Sequence, residues 1–260
     1  MLNAGAEIVI AHLSDLHIGA HDPTAVASVA ADVAAVHPTL TVVTGDLTMR
    51  ARSGQFSQAR DLLDRLPAPM LVVPGNHDVP LFDVERLFAP YRRYQRFVQA
   101  ELDPVCRMPG LTVLGLHTTP RWRWKSGRVS RGQSEAIVAV LGSASAGAVR
   151  VLAMHHPPRA AGLARLVGRR RLLQAVGSAR VDLILAGHTH VPRASQVDLG
   201  ATAHRPVEVV AGTAVSLRTR GTVRSWTVIR VDSAAIAVEE RLQSATGWRT
   251  GGVQRFTRRG

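Results

Sequence analysis

Along the first two thirds of the chain, short apolar runs alternate with longer amphipathic stretches. Residues 7–12, 40–44, 70–73, 111–117, 149–154 and 183–186 are apolar and bounded by Gly, Pro, Asp or His. Runs of this kind predict strands buried on both faces of a sheet. Between them, 24–36, 55–66, 131–141 and 168–176 carry helical patterning, and 84–102 reads as a further helix rich in Arg and aromatics. Beyond Val191 the pattern changes to strand-like segments at 194–199, 207–211, 223–231 and 235–242. The expectation is an α/β body followed by a mostly β third. No repeat and no linker divides it. The breaks at 143–147 and 200–204 read as loops, so a single domain over 1–260 is predicted, with an Arg/Trp-rich cap around 80–132.

Composition narrows the class. At 260 residues and 46% hydrophobic, the chain can bury a sizeable core. No run of about 18 uncharged apolar residues exists, which argues against stable membrane insertion. Residues 1–10 carry Glu7 and no basic segment ahead of an apolar one, so they read as the first strand and not as a secretory leader. Cys106 is the only cysteine. Together these favour the cytoplasm. Basic residues outnumber acidic ones 32 to 19, for a formal charge of +13, and Lys125 is the only lysine. Codon usage can exchange Arg for Lys, but it does not create that excess. A basic surface favours anionic partners such as phosphoesters or nucleic acid, and a homo-oligomer is equally compatible.

The chemistry lies just past the predicted strands. Asp15-Leu16-His17, Gly45-Asp46, Gly75-Asn76-His77-Asp78, His155-His156 and Gly187-His188-Thr189-His190 are rich in metal-ligand side chains. Ligand sites of α/β sheets gather beyond the carboxyl ends of the strands, so these segments should converge. Carboxylate and imidazole without thiolate suit Mn, Fe or Zn in a reactive site and argue against a structural zinc. Asp15, His17, Asp46, Asn76, His155, His188 and His190 exceed the need of one ion. Two ions need a bridging carboxylate, for which Asp46 on its Gly turn is the natural choice. Taken singly, each segment also has a plainer meaning: Asp-x-His as a cap, Gly-Asp as a turn, His-His-Pro-Pro as a loop.

Together and in this order, the segments resemble the calcineurin-like metallophosphoesterase superfamily, whose pattern runs D-x-H, G-D, G-N-H-D/E, H, G-H-x-H. His12-Leu-Ser-Asp-Leu-His17, Pro74-Gly-Asn-His-Asp-Val-Pro80 and Met154-His-His-Pro-Pro158 are similar to its bacterial cyclic-nucleotide and glycerophosphodiester phosphodiesterase branch. The resemblance implies a four-layer αββα sandwich and two divalent or trivalent metal ions (Mn, Fe or Zn). Asp15, His17 and His190 would bind one ion, and Asn76, His155 and His188 the other, with Asp46 bridging. It implies in-line attack of a metal-bridging hydroxide on a small diester such as a cyclic nucleotide. His77 would act as the catalytic histidine, oriented by Asp78.

His21, Arg50 and His156 are candidates for substrate contact. His21 precedes an Asp22-Pro23 helix start, Arg50 can equally be surface, and His156 also reads as a neighbour behind the ligands. The segment 121–125, Arg-Trp-Arg-Trp-Lys, and the Arg/aromatic stretch 91–97 could stack bases, rest on lipid, form a dimer contact or simply cap the domain. Two other enzymes stay open: a nuclease on single-stranded nucleic acid, and a pyrophosphatase of the UDP-diacylglucosamine type at the membrane surface. A scaffold protein, as in the retromer subunit that shares this fold, is disfavoured because the ligand pattern is complete.

Overall fold

The computed structural model describes residues 7–81, 83–200 and 203–258. The expectations for residues 1–6 and for part of the 200–204 loop lie outside the described residues. In chain order the strands are β1 (Ile8–Leu13), β2 (Leu40–Val43), β3 (Met70–Val72), β4 (Val105–Met108), β5 (Leu111–Leu116), β6 (Gly127–Arg128), β7 (Val149–Met154), β8 (Leu166–Val167), β9 (Leu183–Ala186), β10 (Arg193–Gln196), β11 (Val207–Val210), β12 (Ser225–Val231), β13 (Ala235–Ser244) and β14 (Gly247–Thr257). The helices are α1 (Pro23–Ala35), α2 (Ser53–Leu63), α3 (Glu85–Phe88), α4 (Arg92–Phe97), α5 (Arg131–Gly142) and α6 (Arg169–Ser178).

Two six-stranded sheets form the body, ordered β14-β13-β12-β1-β2-β3 and β10-β11-β9-β7-β5-β4. Alternation along each strand sends neighbouring residues to opposite faces, and this builds three cores from one set of strands. Val42, Leu71, Val113, Val151 and Leu185 meet between the sheets. Val43 and Val72 face the other way, against Val29 and Val33 of α1 and Phe56, Ala59 and Leu63 of α2. Leu114, Leu152 and Ile184 pack under Ile137 and Leu141 of α5 and Leu172 and Val176 of α6. The result is the αββα sandwich. Because the central strands are buried on both sides, they read as continuous apolar runs and not as alternating ones.

β1, β2 and β3 run parallel in the first sheet, and β5, β7, β9 and β11 run parallel in the second. Their carboxyl ends therefore point to one edge of the sandwich. α1 starts at Asp22, whose carboxylate accepts from the Thr24 and Ala25 amides, with Pro23 in the first turn. α5 starts with a reciprocal cap between Ser130 and Gln133.

The structure differs from the predicted helix over 84–102. That stretch breaks into α3 and α4, with nothing helical after Val98. Pro90 has no N–H to donate and disfavours helix at Ala89, which sits at φ −145° and ψ 60°. Ion pairs from Arg93 to Asp83 and Glu85, and from Arg92 to Glu85, hold the broken ends together. β14 carries no strand signature in the sequence, because it is polar with three glycines. It gains its order from the full-length antiparallel ladder to β13.

α1 is locked to the first sheet through Asp32. Its carboxylate accepts from Trp226 Nε1 (2.9 Å) and pairs with Arg241 (2.6 Å), and Trp226 is completely buried. Asp32→Ala leaves the buried indole N–H without its acceptor and Arg241 without its partner. Denaturant unfolding is expected to show a loss of about 2 kcal/mol; an unchanged midpoint would show that the clamp carries no weight.

Candidate metal centre

The segment after β1 is laid across the turn after β2. The Asp15 amide donates to Gly45 O (3.0 Å), the His17 amide to Asp46 O (2.8 Å) and the Ile18 amide to Leu47 O (2.9 Å). Gly45, at φ +88°, and Gly75 then meet backbone to backbone. A Cβ on Gly45 would lie 2.5 Å from the Gly75 amide, and one on Gly75 would lie 2.1 Å from the Asp46 amide. Only glycine allows this approach. From the second sheet, the Gly187 amide donates to His155 O and the His188 amide to the Asp15 carboxylate (2.9 Å).

These ties bring the seven residues together in two sets that meet at one atom. Asp15 Oδ1, His17 Nε2 and His190 Nε2 form the first: His190 lies 3.1 Å from Asp15 and 3.1 Å from His17, and His17 lies 3.7 Å from Asp15. Asn76 Oδ1, His155 Nε2 and His188 Nδ1 form the second, mutually 3.0–3.2 Å apart. Asp46 Oδ2 stands between them, 3.6 Å from His17 and 3.4 Å from His155. Its other oxygen accepts the His77 amide at 2.8 Å. Asp15, His17, Asp46, His155 and His190 are buried.

Five of these residues, Asp15, His17, Asp46, His188 and His190, hold φ between +46° and +69°. Left-handed backbone at non-glycine positions is uncommon and costs on the order of 1–3 kcal/mol each. Such strain gathered in one cluster is the mark of a functional site.

The donor set fits cations. Asp15 Oδ1 is buried without a hydrogen-bond donor, although ring nitrogens crowd round it. His155 Nδ1 is engaged by Thr44 O (2.7 Å) and His190 Nδ1 by Arg218 O (2.5 Å), which leaves their Nε2 lone pairs pointing inward. Electrostatics shows the same demand for positive charge. Burial opposes the charged forms of Asp15 and Asp46, yet the surrounding imidazoles hold both carboxyls well below the usual range. Burial also opposes the His155 imidazolium, but Asp46 and Asp15 push that ring up to about 9. Burial and His155 push His188 down to about 4. A metal cation meets the same demand at closer range than protons on the rings do.

Several expectations are corrected by the geometry. Asp78 does not orient His77. Its buried carboxylate accepts from the Gly75, Leu47 and Thr48 amides at 2.9–3.1 Å and from the Thr48 hydroxyl, riveting the 45–48 turn to the 75–78 turn. Burial and then Asp46 push this carboxyl up to about 6, against those donors. The partner of His77 Nδ1 is Met49 O at 2.9 Å. His156 is fully buried behind the ligands, its ring 4.4 Å from that of His188 and its Nδ1 on Thr118 Oγ1, so it has no access to substrate. His21 Nδ1 accepts from the Gly19 amide in a turn, and Arg50 is exposed; neither lines the cavity over the centre.

That cavity, of about 320 Å³, is lined instead by Lys125, Leu163, Ala164, Thr189, Arg218 and Arg220 together with Asp46, Asn76, His77, His188 and His190. Arg218 Nη1 reaches His77 Nε2 at 3.2 Å. The segment after β11 holds no ligand-type side chain and so has no motif. Its signal was positional: β11 is another parallel strand whose carboxyl end faces the same edge. Trp122 and Trp124 are exposed, with Arg121 stacked 4.3 Å from the Trp122 ring. Their loop is held to α3 by Arg86, which donates to Pro80 O and Arg123 O.

A family model for calcineurin-like phosphoesterases matches residues 8–192. The chain belongs to that family. Among curated relatives, the chain is 27% identical over 197 residues to a probable cyclic nucleotide phosphodiesterase of Synechococcus, covering 70% of this chain and 72% of that one. It is 25% identical over 172 residues to a probable glycerophosphodiester phosphodiesterase of Arcobacter nitrofigilis, covering 59% and 57%. Its fold is similar to purple acid phosphatase from yellow lupin seeds, with a TM-score of 0.74 at 13% identity over 97% of this chain and 53% of that one. The chain thus spans little more than half of two of these proteins. Among the described residues, no helix is long and apolar enough to cross a membrane.

The glycine contact gives a direct test. Gly75→Ala drives a Cβ into the Asp46 amide and carboxylate, and is expected to abolish retention of metal through dialysis, read by elemental analysis. Gly54→Ala, whose Cβ meets nothing within 4 Å, is the control and should retain metal as the parent does. Equal metal content in both variants would remove the turn contact from the account.

Proposed function

We propose that this phosphoesterase is a two-cation phosphodiesterase acting on a small diester, the class that includes the cyclic nucleotides. The observation that carries this is Asp46 Oδ2, which faces both ligand sets at once. In this reading Asp15, His17 and His190 hold one cation, Asn76, His155 and His188 the other, and Asp46 both. The cations would supply Lewis acidity and an acidified water for displacement at phosphorus. The names of the two curated relatives support a diester substrate.

The chain's own residues supply the rest. His77 Nδ1–H donates to the Met49 carbonyl, which fixes the tautomer and leaves Nε2 as an acceptor facing the cavity. Burial lowers the basicity of this ring, which favours release of a proton it carries. His77, having taken a proton from solvent at Nε2, would donate it to the leaving oxygen as the P–O bond breaks, as a general acid. Arg218, already at Nε2, would move onto the phosphoryl oxygens and stabilise the charge that develops there. Asn76, a neutral ligand, leaves the centre with a surplus of positive charge for an anion.

The manganese-loaded protein is expected to hydrolyse bis-p-nitrophenyl phosphate in preference to p-nitrophenyl phosphate. His77→Ala should keep its metal and lose roughly 100-fold or more in kcat. Preference for the monoester would overturn the diester assignment. Full turnover by metal-loaded His77→Ala would remove the proton-transfer role.

A further inference from the structure

The cavity over the metal centre carries more positive charge than a simple diester can use. Two divalent cations would already outweigh Asp15 and Asp46. Lys125, Arg218 and Arg220 line the same cavity, and among the described residues none of the three has a carboxylate partner. Several packed arginines have carboxylate partners, namely Arg159 and Arg193 on Glu208, Arg224 on Asp22, Arg241 on Asp32 and Arg258 on Asp182, while the buried Arg86 is satisfied by backbone carbonyls. Arg218 has a place beside His77 at the reacting phosphorus. Lys125 and Arg220 have none.

Both are presented from built loops. Arg220 holds φ +51° in a turn closed by the Thr222 hydroxyl, which donates to Thr219 O and reaches His190 O, so the turn is tied to a residue of the metal cluster. Lys125 lies two residues after Arg123, whose carbonyl accepts from the buried Arg86 and whose guanidinium reaches Ser126. On the same wall, Leu163 and Ala164 add apolar surface, and Leu163 is 75% exposed. A rim with unpaired cations and an exposed aliphatic residue fits a molecule with an apolar body and an anionic group away from the scissile phosphorus.

We propose that Lys125 and Arg220 form a subsite for a second phosphate, so that the preferred substrate is a nucleoside phosphodiester bearing an additional phosphomonoester. This rests on the phosphodiesterase reading and narrows its substrate class. The cavity, of about 320 Å³, falls within the range of small-molecule sites.

The test uses a matched pair, thymidine 5′-(p-nitrophenyl phosphate) with and without a 3′-phosphate. The manganese-loaded protein is expected to show kcat/KM at least about tenfold higher for the 3′-phosphorylated member, mainly through KM. In Lys125→Ala/Arg220→Ala the ratio should fall below about twofold. A ratio near unity in the parent, or one that survives in the variant, overturns the subsite. A binding readout separates this from failure of the diester reading. By calorimetry the metal-loaded parent should bind adenosine 3′,5′-bisphosphate about tenfold tighter than adenosine 5′-monophosphate, and the double variant should not. If neither ester is hydrolysed but this binding difference holds, the subsite stands and the diester reading falls. Equal binding of the two nucleotides sinks the subsite. Tighter binding of a single-stranded oligonucleotide with a steep salt slope would overturn it in favour of a polymer.

Discussion

Everything at the edge of this sandwich depends on two glycine turns that touch through their backbones. Gly45 and Gly75 approach so closely that either Cβ would collide with the neighbouring chain. Asp78 closes the contact by accepting amides from both turns. The consequence is positional. Asp46 is carried to the midline between the sheets, one oxygen on the His77 amide and the other between two histidine sets. Strand order alone would bring the segments to one edge. The turn contact decides which atoms meet.

The cost of the arrangement is visible. Buried carboxylates, converging imidazole lone pairs and five left-handed residues are each unfavourable in isolation. The three cores and the parallel ladders over-determine the backbone and hold it in place. A cation placed among the donors reverses the sign of the electrostatic part, because charges that repel or desolvate one another become ligands. The same logic extends outward to the cavity, where Arg218 sits against His77 Nε2 and Lys125 and Arg220 stand without carboxylates among the described residues.

Much of this was legible in the sequence because it is written in local patterns. Apolar runs on the central strands gave the α/β body, and side chains of ligand type just after those runs gave the residues that come together. What was hidden is non-local. The role of Asp78 depends on the amides of Leu47 and Thr48, some thirty positions away, and no spacing rule shows that. The burial of His156 depends on where the His188 ring lies and on the close approach of Gly127. Arg218 and Arg220 have no motif, since a lone arginine in an arginine-rich chain carries no signal until the fold places it. The broken 84–102 helix was legible in principle: Ala89-Pro90 announces the break, and the aromatic periodicity masked it.

The central claim is that Asp46 joins two cation sites into one centre. Electron paramagnetic resonance of the protein titrated with Mn(II) tests it most directly. The proposed centre predicts uptake of two equivalents with an exchange-coupled signal, and loss of that coupling in Asp46→Asn. Saturation at one equivalent with an isolated-ion spectrum, indifferent to Asp46→Asn, would contradict it.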